Sequence, residues 1–363
     1  MAFSATPMVP GDLFDGAAKL AAACDARFAR LAAPAERAAL LAETWREVTA
    51  LGWPAVMVPE ASGGAGGELR DVAALVEGAA RSALALPIGS VGGVVPVLLG
   101  AAPEATDLLG GIAAGTHRVA AAIAPIHAEA AGSPFALRRV GSAIHATGAL
   151  IGVECPPEPT HLLIAGAIEG EPTLLLVATG EDVRLHERID FRLTLDFRCA
   201  EDRPLAATVL ARGAAVGEAT ARAIRCGALF ACVEAAAAMG AVLEQTIAYL
   251  SGRVQFDAPL ASFQALRHKV ADLYAEQERA RAQVSELIER IAAGEWPERE
   301  IDLAKLQFGP AARRFGAAVI QLHGGMGMTE ELPATRLAKR LLMVEFEYGD
   351  SAFHEARLLA ATA

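Results

Sequence analysis

The stretch IQLHGGMGMTEELPATR, residues 320–336, sets glycines at 324, 325 and 327 between two segments of helical periodicity. Glycine can take φ > 0 and lets another group approach the backbone closely. Two readings follow. The break is a plain helix–helix turn, or it is a surface against which a ligand lies, with amides of a helix restarting at Thr329 or Glu330 facing an anion.

Upstream of the glycines, AAVGEATARAIRCGALFACVEAAAAMGAVLEQTIAYLSGR keeps a helical period over some forty residues, near 60 Å at about 1.5 Å per residue. Further helices are expected at about 260–293, 298–322 and 333–347, before a short tail. Four helices with short connections predict an antiparallel bundle. Residues 119–212 differ: SAIHATGALIG, THLLIAGAI, PTLLLVAT and ATVLARG are short runs separated by Gly, Pro and acidic turns, the pattern of a small β domain. Before them, DGAAKLAAACDARFARL and PAERAALLAETWREVTALGW open a region of five or so helices. The predicted organisation is α+β: an N-terminal helical domain (1–118), a middle β domain (119–212) and a C-terminal four-helix bundle (213–363).

Composition narrows the function. With 363 residues, 53% of them hydrophobic, the chain can bury a large core, and its net charge of −11 disfavours a nucleic-acid surface. No run of eighteen uninterrupted apolar residues occurs, so no membrane span is expected, and the N-terminus lacks the basic start and apolar run of a secretion signal; a cytoplasmic protein is expected. Cys24, Cys155, Cys199, Cys226 and Cys232 lack CxxC pairing and are expected as buried thiols. The histidines, among them His117, His127, His145, His161 and His186, show no metal-ligand spacing.

Four local patterns, LGWPAVMVPEASGGAGG (51–67), GRVQFDAPLASFQALRHKVADLY (252–274), QLHGGMGMTEELP (321–333) and FEYGDSAFHEARL (346–358), together resemble the acyl-CoA dehydrogenase family. The last is similar to the tail of bacterial members that act with a second, paralogous subunit. The resemblance implies FAD as cofactor, an acyl-CoA thioester as substrate, electron-transferring flavoprotein as acceptor, and a dimer or tetramer in which one subunit approaches its neighbour's FAD. Carried over, the cofactor-facing positions are Arg253, Phe256, Gln264, Gln321, Gly324 and Gly325. An arginine suits a pyrophosphate because its planar fork donates two hydrogen bonds to anionic oxygens; a solvated charge and a core aromatic are the plain readings of Arg253 and Phe256.

The implied reaction removes an α-proton with a carboxylate. Here the chain departs from the family. Tyr348 stands where the usual base is a glutamate, and Gly227, followed by Ala228, stands at the other location some members use. Glu234, Glu345, Glu347 and Asp350 are the nearby acids, each expected as a surface or helix-end charge. The middle domain departs too, with IAP (123–125) then IHAEAAGSP (126–134), and ALIGVE (149–154), where the family has flavin-touching turns and a W-I-T strand. The resemblance thus implies either an active dehydrogenase, a less catalytic partner subunit, or a flavin-free scaffold with the same fold.

Overall fold

The computed structural model describes residues 3–127 and 135–361, the side chains of 200 and 201 excepted. Its helices open with α1 (Asp12–Phe28), α2 (Pro34–Ala50), α3 (Leu69–Ala80), α4 (Val95–Leu99) and α5 (Thr106–Ala113). Eight strands follow, interrupted by the one-turn α6 (Ala124–His127): β1 (Val119–Ile123), β2 (Ala136–Val140), β3 (Ala143–Glu154), β4 (His161–Ile168), β5 (Glu171–Ala178), β6 (Val183–Glu187), β7 (Leu193–Leu205) and β8 (Ala207–Arg212). The last part holds α7 (Ala214–Gly252), the two-residue strands β9 (Val254–Gln255) and β10 (Ala258–Pro259), α8 (Gln264–Ala292), α9 (Glu298–His323), α10 (Pro333–Met343) and α11 (Ser351–Ala360).

Two compact units result. One contains residues 1–37, 73–84 and 228–363; the other contains 38–72 and 85–227. In the second, the strands form one sheet ordered β6-β7-β3-β2-β4-β5-β8, with β1 parallel to β4. Its core is apolar: Ala120, Leu150, Ile164, Leu175, Leu195 and Phe197 are all essentially sealed from water. At about 25 cal/mol per Å² of apolar surface buried, a side chain such as Phe197 contributes roughly 2–3 kcal/mol.

The first unit is helical. Residues 226–243 of α7 are buried on every side, which explains an alanine-rich sequence without a polar stripe: small side chains let neighbours approach. A side chain at Gly240 would meet the Ala5 methyl at 2.7 Å, and one at Gly316 of α9 would meet the Ala338 carbonyl of α10 at 3.1 Å. An eighteen-residue window of α7 has mean hydropathy 1.9, long and apolar enough to cross a membrane, yet every residue in it is buried within the structure, as in the core helix of a packed domain.

Three expectations need correction. The helix after the glycines restarts at Pro333, not at Thr329 or Glu330, because proline favours the first helical position and Thr329 is extended. The C-terminal tail contains a ten-residue helix, α11, started by the Asp350 carboxylate accepting the Phe353 amide at 2.9 Å. Strands β1, β2, β6 and β7 escaped the reading: VAAAI, for one, is alanine-rich and buried throughout, with no alternation to announce a strand.

Candidate functional site

Helix α9 ends at His323, and Gly324 adopts φ 60°, ψ −140°, a conformation closed to ordinary residues. The following turn, Gly324–Met328, is 3-10. The glycines do different things. Gly324 and Gly325 are exposed, with open space where a side chain would stand, whereas a Cβ on Gly327 would lie 2.5 Å from the Ile320 carbonyl. Gly327 is therefore required by packing, and the first two leave bare backbone facing outward.

The turn is anchored from beneath. His323 is buried and its Nδ1 bonds the Val319 carbonyl at 3.0 Å, so it serves as helix-end scaffolding. The Tyr249 hydroxyl donates to the His323 carbonyl at 3.3 Å, and the two rings lie 4.6 Å apart. One turn on, the Arg253 amide donates to the Tyr249 carbonyl at 2.9 Å, which brings the start of RVQF to the glycine turn. Beyond Arg253 the chain makes a two-residue hairpin between β9 and β10.

Phe256 and Asp257 form its tip, with φ 55° and 61°. Such a turn favours Asn-Gly, and a bulky aromatic there is an outlier. Phe256 is also 86% exposed, so neither packing nor propensity accounts for it. Its ring meets Phe263 edge-on at 6.1 Å, next to Gln264, the first residue of α8. Arg253, Phe256, Gln264, Gln321, Gly324 and Gly325 are all exposed, and this chain of contacts gathers them at one end of the helical unit. The donor set matches a large anionic and aromatic group: among the described residues no carboxylate pairs with Arg253, two carboxamides stand clear, and the glycines present unobstructed backbone.

The acids behave otherwise. Glu234 and Glu347, expected as surface charges, are buried at 5% and 9% exposure. Both are held by Arg340, itself buried: Nε and Nη2 donate to Glu234 at 2.6 Å each, and Nη1 donates to Glu347 at 2.6 Å, with Nη2 closing a second bond. Glu345 accepts the Ser351 amide at 3.0 Å and hydroxyl at 2.7 Å through Oε1. Its Oε2 is buried without a hydrogen-bond partner, so close to Gly309 that a Cβ there would lie 1.8 Å away. Asp350 is occupied as the cap of α11.

Tyr348, at φ 52°, gives its carbonyl to Nε2 of buried His354 at 3.0 Å, and His354 pairs through Nδ1 with Asp302 at 2.9 Å. Lys305 donates to the carbonyls of Gly349 (2.6 Å) and Glu345 (3.2 Å); its burial lowers its pKa, against the pull of Cys232 and the acids of this loop. The whole 345–350 segment is thereby clamped by Lys305, Arg340 and His354. Gly227 lies buried within α7. Of the middle-domain positions, ALIGVE lies in β3, IAP spans the end of β1 and start of α6, and 128–134 of the IHAEAAGSP segment fall outside the described residues. All five cysteines are buried, and burial raises the thiol pKa of Cys155 and Cys199, and of Cys226 and Cys232 to about 12, so these four stay protonated at neutral pH.

Comparison with known proteins agrees with this architecture. Residues 17–116 match the model of the acyl-CoA dehydrogenase N-terminal domain and residues 218–362 that of the C-terminal domain. The chain is 29% identical over 286 residues to acyl-CoA dehydrogenase IpdE2 of Mycolicibacterium smegmatis, covering 77% of this chain and 75% of that one. Its fold superposes on the ChsE4-ChsE5 complex from Mycobacterium tuberculosis with TM-score 0.80 at 20% identity, over 98% of this chain and 99% of that one. It superposes on the FAD complex of PigA with TM-score 0.79 at 17% identity, over 100% and 99%. With both terminal domains matched over more than half its length and the helix–sheet–helix succession in place, the chain belongs to the acyl-CoA dehydrogenase family.

Proposed function

We propose that this chain is the less catalytic subunit of a heteromeric FAD-dependent acyl-CoA dehydrogenase, lending a cofactor surface to an active site that a paralogous subunit completes. The observation that carries the proposal is the pairing of Arg340 with both Glu234 and Glu347, which removes two of the four nearby carboxylates from proton transfer. The other two are a cap and a carboxylate packed on Gly309. A general base must reach its proton within hydrogen-bond distance; Glu234 and Glu347 are sealed in the Arg340 pairs, Glu345 Oε2 is buried against Gly309, and exposed Asp350 commits Oδ1 to the Phe353 amide.

The residues named above fit FAD. Arg253 would meet the pyrophosphate, Gln264, Gln321 and Phe256 the adenine half, and Gly324 and Gly325 would admit it to the backbone. When bound, FAD supplies the acceptor for the β-hydride of an acyl-CoA thioester, the electrons then passing to electron-transferring flavoprotein. This chain's part is to bind and orient: a bidentate donor, two carboxamides and a face of exposed aromatic surface. A dimer or tetramer follows from a cofactor surface turned outward. The mixed ChsE4-ChsE5 assembly and the FAD complex of PigA on the same fold support this reading.

The test is the visible flavin spectrum of the chain expressed alone and co-expressed with a paralogue. Flavin only in the co-expressed complex, lost in Arg253→Ala, is the expected result. Flavin on the lone chain that bleaches with an acyl-CoA would overturn the division of labour, and no flavin with any partner would favour the flavin-free scaffold.

A further inference from the structure

The sheet-containing unit holds a cavity of about 500 Å³ that none of the residues assigned to the cofactor lines. Its walls come from α2 (Trp45, Arg46, Thr49), from the turn after α5 at Gly115, from Arg118 ahead of β1, and from Glu158 in the turn between β3 and β4. We propose that this cavity binds a small anionic metabolite through a carboxylate or phosphate group held between Arg46 and Arg118.

Four observations support it. The volume lies in the range of small-molecule sites. Arg46 bonds only the Ala42 carbonyl of its own helix, at 3.3 Å through Nε, so its two Nη groups have no acidic partner among the described residues. Arg118 is fixed in place, its Nε donating to the Glu158 carbonyl at 2.6 Å, while its Nη2 stays 3.8 Å from the Glu158 carboxylate, beyond hydrogen-bond range. That carboxylate is 75% exposed and solvated, so it neutralises Arg118 weakly. Finally, Thr49 Oγ1 on the cavity wall is buried with no hydrogen-bond partner, a donor for an acceptor oxygen.

The arginines are not explained as caps for the helix ends that reach the cavity. The carbonyls of Glu47 and Thr49 in α2 accept the amides of Leu51 and Gly52, and those of Gly110, Gly111 and Ile112 in α5 accept the amides of Ala114, His117 and Gly115. The cavity also depends on two unusual backbone positions. Gly115, at φ 73°, has no room for a Cβ, which would meet Thr49 Cγ2 at 2.4 Å, and Glu158, at φ 50°, takes a left-handed conformation that an ordinary turn does not need while its carbonyl holds Arg118.

Trp45 on the wall provides the readout. The full-length chain is titrated with inorganic phosphate and, separately, with succinate, at constant ionic strength, while tryptophan emission is followed. A saturable change with at least one anion is expected, weakened about tenfold in Arg46→Gln and in Arg118→Gln and abolished as a signal in Trp45→Phe. Saturation by phosphate alone or by succinate alone assigns the group. No saturable change with either anion, or an affinity in both arginine variants equal to that of the parent chain, overturns the proposal. Arg46 is exposed and bonds only its own helix, so Arg46→Gln keeps the test valid should Arg118→Gln fail to fold.

Discussion

Replacing Arg340 by methionine would strand the carboxylates of Glu234 and Glu347 in a buried site, since both depend on its guanidinium. Breaking one partner of such a network costs about 3–5 kcal/mol, because the charges left behind cannot be hydrated. Chemical denaturation should show a loss of that order for Arg340→Met, and a recovery of most of it when Glu234→Gln and Glu347→Gln are added. A recovery in stability without any gain of dehydrogenation would also agree with these acids being structural. The residue scale carries a second expectation. Arg253 is exposed and bonded through its backbone alone, so Arg253→Ala should leave the melting temperature unchanged while emptying the flavin from the assembled complex. A matching fall in both would identify it as a structural residue instead.

At the scale of the element, the β9–β10 hairpin holds Phe256 in a backbone conformation that costs roughly 1 kcal/mol per non-glycine residue. Phe256→Gly should therefore leave stability unchanged or raise it by up to about 1 kcal/mol, while weakening flavin retention in the complex. Equilibrium unfolding and flavin content, measured on one preparation, separate the two effects. The one-turn helix α6 makes a different forecast. Burial pushes His127 down from 6.5 to about 4, against the hydrogen bond between its Nδ1 and the Ile123 backbone, which raises it. His161 is lowered as well, by burial first and then by His117, whose ring lies 4.7 Å away, a pairing invisible from their separation in the chain. A lowered base pKa means that the unfolded chain binds more protons, so this stabilisation is complete above pH 6.5 and is lost as pH falls toward 4. The melting temperature of His127→Gln should change less than that of the parent across this window.

For the whole molecule, the exposed apolar residues of the helical unit have a common consequence. Phe256 (86%), Met328 (76%), Phe346 (63%) and Val254 (55%) lie in segments that flank the proposed cofactor surface and the clamped loop, more apolar surface than solvation of a lone chain favours. Sedimentation velocity should find the chain as a dimer or larger, or driven into a complex when its paralogue is present; a monodisperse monomer under both conditions would contradict the shared-site proposal. The match to both terminal domain models of the family says which fold is built, while the proposed division of catalytic labour rests on where the acids point.

Much was legible before any coordinates. The short apolar run THLLIAGAI and the alanine-rich stretch from Ala214 to Gly252 reflect local backbone preference, so strands β3, β4, β5 and β8 and the long helix could be read directly. The stop at His323 and the outward RVQF and Gly-Gly stretch were equally local, because glycine and the residues around a turn answer to φ and ψ alone. VAAAI had no such signature, and its strand exists because β4 offers it a parallel edge. The fate of the acids was not local either. Glu234 and Arg340 are 106 positions apart, Lys305 and Gly349 are 44 apart, and only the packing of α7, α9 and the C-terminal segment makes them neighbours. By itself the sequence determined the long helices, the strands β3, β4, β5 and β8 and the backbone positions that stay bare, since those depend on nearest neighbours along the chain. The tertiary structure alone decided which carboxylates are spent on buried pairs and which cations remain available, since desolvation and charge pairing depend on what is brought alongside from far away.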